Sequence, residues 1–253
     1  MLGDDFLHER QLAILNMVAN SPKINVSSLS KELGVSQVTI RQDLRTLENN
    51  GMLKRFHGGA MPVSDDDMMK RLSFNFEVKT AIAQEAASLV NNGETVLIES
   101  GSTNVLLAVE LAKKSNITII TNSAFISRYI SGMNNVKIIL LGGDYQHESE
   151  VLVGPLTRKC LKEFHVDKVF IGVDGFSPNT GFTCVNLMRA EVAHAMAEQA
   201  DKVIIVTDSS KFNMLGVASQ LQAEDVDMVI TDTNISAKDL DILKSFDIEV
   251  RSV

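Results

Sequence analysis

From residue 95 onward the chain alternates between two patterns, and that alternation constrains its fold more than any other feature. Short β-rich apolar runs occur at 95–98 (TVLI), 117–120 (ITII), 136–141 (VKIILL), 168–173 (KVFIGV), 202–207 (KVIIVT) and 227–231 (DMVIT). Helical patterns fall between most of them, at 103–114, 123–132, 155–164, 187–200 and 236–246. A first helix is expected at 76–91, with Ile82, Ala86, Leu89 and Val90 on its apolar face. Near-continuous apolar strands must be covered on both faces, and strands that alternate with helices meet that need as a parallel sheet between helical layers. The spacing predicts an open, Rossmann-like α/β domain over residues 76–253. Residues 248–250 (IEV) are a candidate further strand, and 212–224 reads as either a short strand or an irregular loop. The polar, acidic, Pro-containing stretch PVSDDDMM, beginning at Pro62, reads as a linker. Assigned to 63–75, it sets off a smaller domain over residues 1–62.

The small domain carries a pattern suited to DNA. In residues 35–60, VSQVTIRQDLRTLENNGMLKRFHGGA, Ser36 is a good N-cap, and Ile40, Leu44 and Leu47 then fall on one helical face. Val38, Gln42 and Arg45 point the other way, with Arg41 on the flank. Arg bonds guanine bidentately, Gln bonds adenine, and Val methyls meet thymine. Upstream, residues 8–19 put Leu12, Leu15, Val18 and Ala19 on one face. Residues 26–33 form a short helix with Leu29 and Leu33 inward, and Gly34 sits where a helix end favours positive φ. The link from Leu33 to Ser36 has the length of a helix-turn-helix turn. Leu53–His57 reads as a strand and Gly58-Gly59 as a tight turn, a wing from which Arg55 and His57 reach phosphate or the minor groove. On residues alone, an ordinary three-helix subdomain with solvated charges stays the alternative.

A net charge of −8 argues at first against nucleic acid, but its distribution removes the objection. Residues 1–62 hold seven Lys and Arg against six Asp and Glu, and residues 21–62 hold six against three. The excess negative charge therefore lies in the larger domain, away from DNA, while phosphate contacts need cations only at the interface. The balance of 45% hydrophobic and 22% charged residues is that of a globular protein. No apolar run reaches the length of a membrane span, and no secretory pattern opens the chain. Cys160 and Cys184 are far apart and lack metal-ligand spacing, as expected of a cytoplasmic protein with no metal site and no membrane partner. Cys184 lies near the candidate site and reads as a buried inert thiol rather than a redox sensor.

Polar residues of the larger domain collect where its strands end: Glu99-Ser100-Gly101-Ser102-Thr103, Thr121-Asn122-Ser123, Gly142-Gly143-Asp144, Asp174-Gly175 and Asp208-Ser209-Ser210-Lys211. In open α/β sheets, ligands bind outside the carboxyl ends of the strands. Hydroxyls, a Gly and backbone N–H groups at a helix start favour an anion, and Lys211 adds a positive charge. Glu99, Asp174 and Asn122 are acceptors of the kind sugar hydroxyls need. These residues point to a phosphorylated sugar or polyol. Neither a G-x-G-x-x-G fingerprint nor a Walker G-K-[ST] is present, which disfavours dinucleotides and nucleoside triphosphates; no cofactor is expected.

Both halves resemble one family. VSQVTIRQDLRTL and the following HGGA are similar to the DeoR family of bacterial transcription regulators, whose pattern is V-S-x-x-T-I-R-R-D-L-x-x-L, then H-G-G-A. Ser36, Thr39, Ile40, Arg41, Asp43, Leu44, His57, Gly58, Gly59 and Ala60 match, and Gln42 replaces a second Arg. The resemblance implies that Ser36 and Thr39 contact phosphate and that Gln37, Val38, Arg41 and Gln42 read bases. It continues through Arg71, Asn75 and Lys79, then IESGST, TIITNS, ILLGG, VFIGVDG, Glu191 and VTDSSKF. That sensor domain is similar in fold to ribose-5-phosphate isomerase. By carry-over, Glu99, Ser100, Gly101, Ser102, Thr103, Asn122, Gly143, Asp174 and Lys211 are implied effector contacts, with Gly154, Gly181 and Glu191 as second choices. Glu99 stands where the family more often has Asp, and Ala193-His194 replaces a frequent basic pair.

The resemblance implies a repressor of carbohydrate-metabolism genes that its effector releases from operator DNA. An activator of the same architecture stays open, as does a non-sensing architectural protein. An isomerase is disfavoured, because Asp174-Gly175 continues as Phe176-Ser177-Pro178-Asn179 and not as the Ala-Asp and Lys loop of the isomerases. Paired half-sites about one helical turn apart require at least a dimer, and a homodimer or homotetramer is expected.

Overall fold

The computed structural model describes residues 9–62, 64 and 66–253, with the backbone alone at Glu9, Leu12, Ala19 and Asn213. His8 lies outside these residues, as do the side chains of Leu12 and Ala19 that the first helical pattern placed inward. The chain forms two compact units that divide between Phe74 and Asn75.

The first unit runs α1 (Glu9–Ala19), β1 (Ile24–Asn25), α2 (Val26–Leu33), α3 (Gln37–Asn49), β2 (Leu53–Phe56), β3 (Gly59–Pro62) and α4 (Met68–Ser73). Gly34 ends α2 at φ 65, in the left-handed region that a β-carbon disfavours. Ser36 then caps α3 by accepting the Thr39 N–H at 3.1 Å. Ile40, Leu44 and Leu47 are sealed against Ile14, Val18, Val26, Leu29 and Leu53. Each such side chain contributes about 1.5–3 kcal/mol relative to exposure, so the apolar face fixes the rotation of α3. Behind the helices lies a three-stranded sheet in the order β1-β3-β2.

Two details differ from the sequence reading. The hairpin turns at His57-Gly58, with Gly58 at φ 92, and Gly59 already belongs to β3. A β-carbon on Gly59 would collide with the Ile24 carbonyl and the Phe56 ring, so that glycine admits β1 rather than making the turn. The segment 63–75, expected as a linker, carries α4. Asp67 caps this helix through the Met69 and Lys70 N–H groups, and Met68 and Leu72 are buried.

The second unit contains α5 (Phe76–Ser88), β4 (Thr95–Ile98), α6 (Ser102–Leu111), β5 (Ile117–Thr121), α7 (Ala124–Tyr129) and β6 (Val136–Leu140). There follow β7 (Asp144–Gln146), β8 (Val151–Val153), α8 (Pro155–Leu161), β9 (Val166–Ile171), β10 (Gly175–Ser177), β11 (Gly181–Cys184) and α9 (Leu187–Ala197). The chain closes with β12 (Ala200–Val206), β13 (Ala218–Leu221), β14 (Met228–Thr231), α10 (Ala237–Ser245) and β15 (Glu249–Ser252). The main sheet is parallel throughout, in the order β15-β14-β12-β9-β4-β5-β6. Its interior includes Leu97, Ile120, Val169, Ile171, Ile205 and Val229.

Each expected strand is present within a few residues. The fourth stops at Ile171 because Gly172 turns its N–H to the Glu99 carboxyl group instead of continuing the ladder. Residues 212–224 resolve into the end of a 3₁₀ turn (Ser209–Asn213), a loop, β13 and the start of a second 3₁₀ turn (Ala223–Asp225). Two small antiparallel sheets, β7-β8 and β10-β11-β13, were not expected. The chain builds β4, β5 and β6 outward in one direction and β9, β12, β14 and β15 in the other. The topological switch point therefore lies between β4 and β9, where a ligand crevice forms in folds of this kind.

Candidate functional site

On the first unit, the burial of one face of α3 leaves its opposite face to solvent. Val38 is 71% exposed, and Ser36, Gln37, Arg41, Gln42 and Arg45 are exposed with it, while Thr39 is half-buried. Arg41 donates to Gln37 Oε1 at 3.2 Å, which braces the guanidinium along the helix axis. Asp43 is buried, and Arg10 holds it from α1 with two nitrogens at 2.6 and 3.1 Å. His57 stands exposed at the hairpin turn. Arg55 folds back, its Nε on Glu48 Oε2 at 2.6 Å and its backbone N–H on Glu48 Oε1 at 2.9 Å. Burial pushes the Glu48 carboxyl up, but these Arg55 contacts outweigh it and hold the group below its ordinary range. Arg55 thus belongs to the support of the wing in this structure.

On the second unit, the switch point gathers most of the strand-end residues. Glu99, Ser100, Ser102 and Thr103 are buried where β4 passes into α6. Gly101 stands at the N-cap of α6 and offers no side chain to the helix's first N–H groups, which no helical carbonyl reaches either. Glu99 accepts Ser100 Oγ at 2.8 Å and the Gly172 N–H at 3.2 Å. A β-carbon on Gly172 would stand 3.3 Å from both Glu99 Oε2 and the Gly101 Cα, so the two glycines permit a close approach of β4 and β9. Asp174 accepts the Val185 N–H at 3.1 Å. Lys211 is half-buried on the 3₁₀ turn, and its ammonium makes no ion pair with a described residue.

Among the described residues, three buried amide oxygens have no hydrogen-bond partner: Asn104 Oδ1 on α6, Asn122 Oδ1 just after β5 and Gln220 Oε1 within β13. Each amide nitrogen is engaged, by Phe170 O at 3.2 Å, Leu152 O at 3.1 Å and Gly172 O at 3.0 Å respectively. A buried acceptor left unpaired costs about 1–3 kcal/mol, and such groups mark places where a donor from outside is welcome.

Sequence reasoning missed several members of the site. Gln220 sits on β13, in the segment left undecided. Arg189 is buried on the first turn of α9 and donates to Gln146 Oε1 at 2.8 Å. Gln146 in turn reaches the α9 cap, Asn186 Oδ1, at 3.4 Å, which ties the β7-β8 hairpin to α9. Asp232 anchors the loop before Lys211 through the Ser209 N–H at 2.6 Å and Ser209 Oγ at 2.9 Å. No local pattern announces these residues, because each meets its partners across the sheet.

Other expected residues turn out structural or remote. On Gly143 a β-carbon would strike the Thr157 hydroxyl, and on Gly154 it would reach Asp144 Oδ2 at 2.8 Å. Gly181, at φ 66, serves the β10-β11 connection. Glu191 is exposed on α9, 3.5 Å from Arg158. The Cys184 thiol is pushed up to about 11 by burial; the Asp174 and Glu99 charges add to this, against a hydrogen bond to Asn186 O and the Arg189 charge. A raised thiol pKa favours the protonated form at neutral pH. Among the described residues no group of three or more His, Cys, Asp or Glu is placed to hold a metal ion, and no helix is long and apolar enough to cross a membrane.

The match to known proteins decides the family. Residues 10–65 match the DeoR-like helix-turn-helix domain, and residues 74–233 match the DeoR C terminal sensor domain. The chain belongs to the DeoR family. This regulator is 35% identical to the HTH-type transcriptional regulator GolR of Listeria innocua over 91% of its own chain and 92% of the relative. It is 31% identical to the HTH-type transcriptional regulator GlpR of Haloferax volcanii, over 96% of both chains. It is also 31% identical to the lactose phosphotransferase system repressor of Lactococcus lactis, over 90% and 92%. Membership makes it a DNA-binding transcriptional regulator with a sensor domain. Among solved structures, ribose 5-phosphate isomerase A of Methanocaldococcus jannaschii is similar at a TM-score of 0.41, with 19% identity over 55% of each chain. That likeness is too loose to carry an argument, and the fold rests on the strand order above.

Proposed function

We propose that this regulator represses carbohydrate-metabolism genes and that a phosphorylated sugar or polyol, bound at the switch point of the sensor domain, releases it from operator DNA. The observation that carries the reading is the pairing of a helix start without a capping side chain, Gly101-Ser102-Thr103, with the unpartnered amide oxygens of Asn104, Asn122 and Gln220. The helix start favours the phosphate. The amide oxygens and the carboxyl groups of Glu99 and Asp174 take the hydroxyl protons, and Lys211 adds charge beside the phosphate. Ser36 and Thr39 contact backbone phosphate, while Gln37, Val38, Arg41, Gln42 and Arg45 face the major groove. The relatives named as repressors, one of them of a lactose phosphotransferase system, support the sign of regulation and the metabolic class.

A thermal-shift panel of sugar and polyol phosphates, each beside its unphosphorylated parent, tests the reading. Ligand at about 100 times its dissociation constant stabilises by roughly 2.7 kcal/mol. A shift from one phosphate ester and none from its parent is expected. Equal shifts from both would remove the phosphate from the account.

A further inference from the structure

Helix α9 forms an exposed ridge with a groove on each flank. Leu187, Glu191, His194 and Glu198 recur at helical spacing and are all exposed. A groove of about 420 Å³ separates this ridge from Arg158, Lys159 and Lys162 of α8 and its end. A second groove, of about 280 Å³, separates it from the β13 residues Ser219 to Leu221 and the turn beyond. A ridge beside a groove of helical dimensions is the shape that helix packing requires.

The charges on this face are sorted. The ridge presents Glu191 and Glu198, and the opposite wall presents three cations. Arg158 leans to Glu191 at 3.5 Å, while Lys159 and Lys162 have no ion-pair partner among the described residues. Leu187 on the ridge and Leu156, next to Pro155 of the groove wall, are 64% and 57% exposed. A two-fold axis along the groove would set the acidic ridge of each copy against the basic wall of the other, a self-matching contact of the isologous kind.

We propose that a second copy of this chain docks here, the α9 ridge of each protomer lying against the α8 wall of its partner's groove. The inference rests on the reading that operators are bound as paired half-sites, which requires two copies. Because α9 also carries Arg189 and the Asn186 cap, the contact lies on the same helix as one wall of the effector site.

Sedimentation equilibrium of the full chain, without DNA or sugar, tests the contact. The unaltered protein is expected as a dimer or a multiple of two. Reversing the wall (Lys159→Glu with Lys162→Glu) or the ridge (Glu191→Lys with Glu198→Lys) should each weaken self-association by about tenfold or more. An equimolar mixture of the two variants should recover the original strength, because both contacts of the mixed pair are then complementary. Leu187→Glu, a single exposed change, should weaken association independently. A monomer at every concentration, reversals without effect, or a mixture no tighter than its components would each overturn the proposal. If the reversal pattern holds while no phosphate ester shifts the melting curve, the interface stands and the effector reading falls.

Discussion

Glu99, after β4, accepts the backbone N–H of Gly172, after β9, at 3.2 Å, and this bond spans the switch point of the sheet. Its other oxygen takes the Ser100 hydroxyl, so one carboxyl group organises both lips of the crevice. Glu99→Asp would withdraw the group by one methylene and leave the Gly172 donor unpaired, a loss of about 1–3 kcal/mol. Calorimetry should record a lower unfolding temperature for the sensor domain, and effector affinity should fall with it. An Asp variant as stable as the parent would show that the bond does not organise the crevice.

Ser102→Ala combined with Lys211→Ala removes a hydroxyl at the start of α6 and the positive charge on the 3₁₀ turn. Neither residue belongs to the DNA-binding unit. The double variant should bind operator as the parent does and no longer release it when the phosphate ester is added. Normal release in an anisotropy titration would mean that the effector binds elsewhere.

The exposed face of α3 predicts a division of labour. Arg41→Ala should cost about 1–3 kcal/mol at one guanine, and Gln42→Ala should relax preference at one base pair. Gln37→Ala should act partly through Arg41, since Gln37 Oε1 braces that guanidinium at 3.2 Å. Competition with random-sequence DNA separates reading from adhesion. Equal losses on operator and random DNA would place these side chains on phosphate instead of bases.

Asp232 gives the sensor domain an acid-sensitive support. Burial pushes its carboxyl up, but hydrogen bonds from the backbone and side chains of Ser209 and Asn234 outweigh this and hold it below the ordinary range. A depressed native value means that the unfolded chain takes the proton first as the solution is acidified. The stabilisation is therefore complete above about pH 3.9, the ordinary Asp value, and is lost as pH falls through the lower native value. Asp232→Asn should lower stability at neutral pH, loosen the turn that carries Lys211, and flatten the acid limb of a plot of unfolding midpoint against pH. An unchanged acid limb would assign that loss of stability to other carboxyl groups.

The elements legible in sequence were those whose signal is local. The α3 face of Ile40, Leu44 and Leu47 and its Ser36 cap lie within one stretch of chain, and the main-sheet strands announce themselves as apolar runs. What stayed hidden depends on distant partners. The two-residue β1 exists only because Gly59 lets it approach β3. The β7-β8 hairpin is held partly by Asn122, whose backbone and side chain bond Leu152. For the same reason Asn122 was found as a polar strand end, but its part in clamping the hairpin was not. Arg189 and Gln220 were missed because nothing near them in sequence marks them; their roles come from Gln146 and Gly172.

A phosphate ester bound at the switch point should loosen the grip on operator. The direct measurement is fluorescence anisotropy of the full protein on an operator selected from a random-sequence pool, titrated with the ester that raises the melting temperature and, separately, with its parent sugar. The ester is expected to lower operator affinity and the parent sugar to leave it unchanged. Operator affinity unchanged at saturating ester would contradict that expectation.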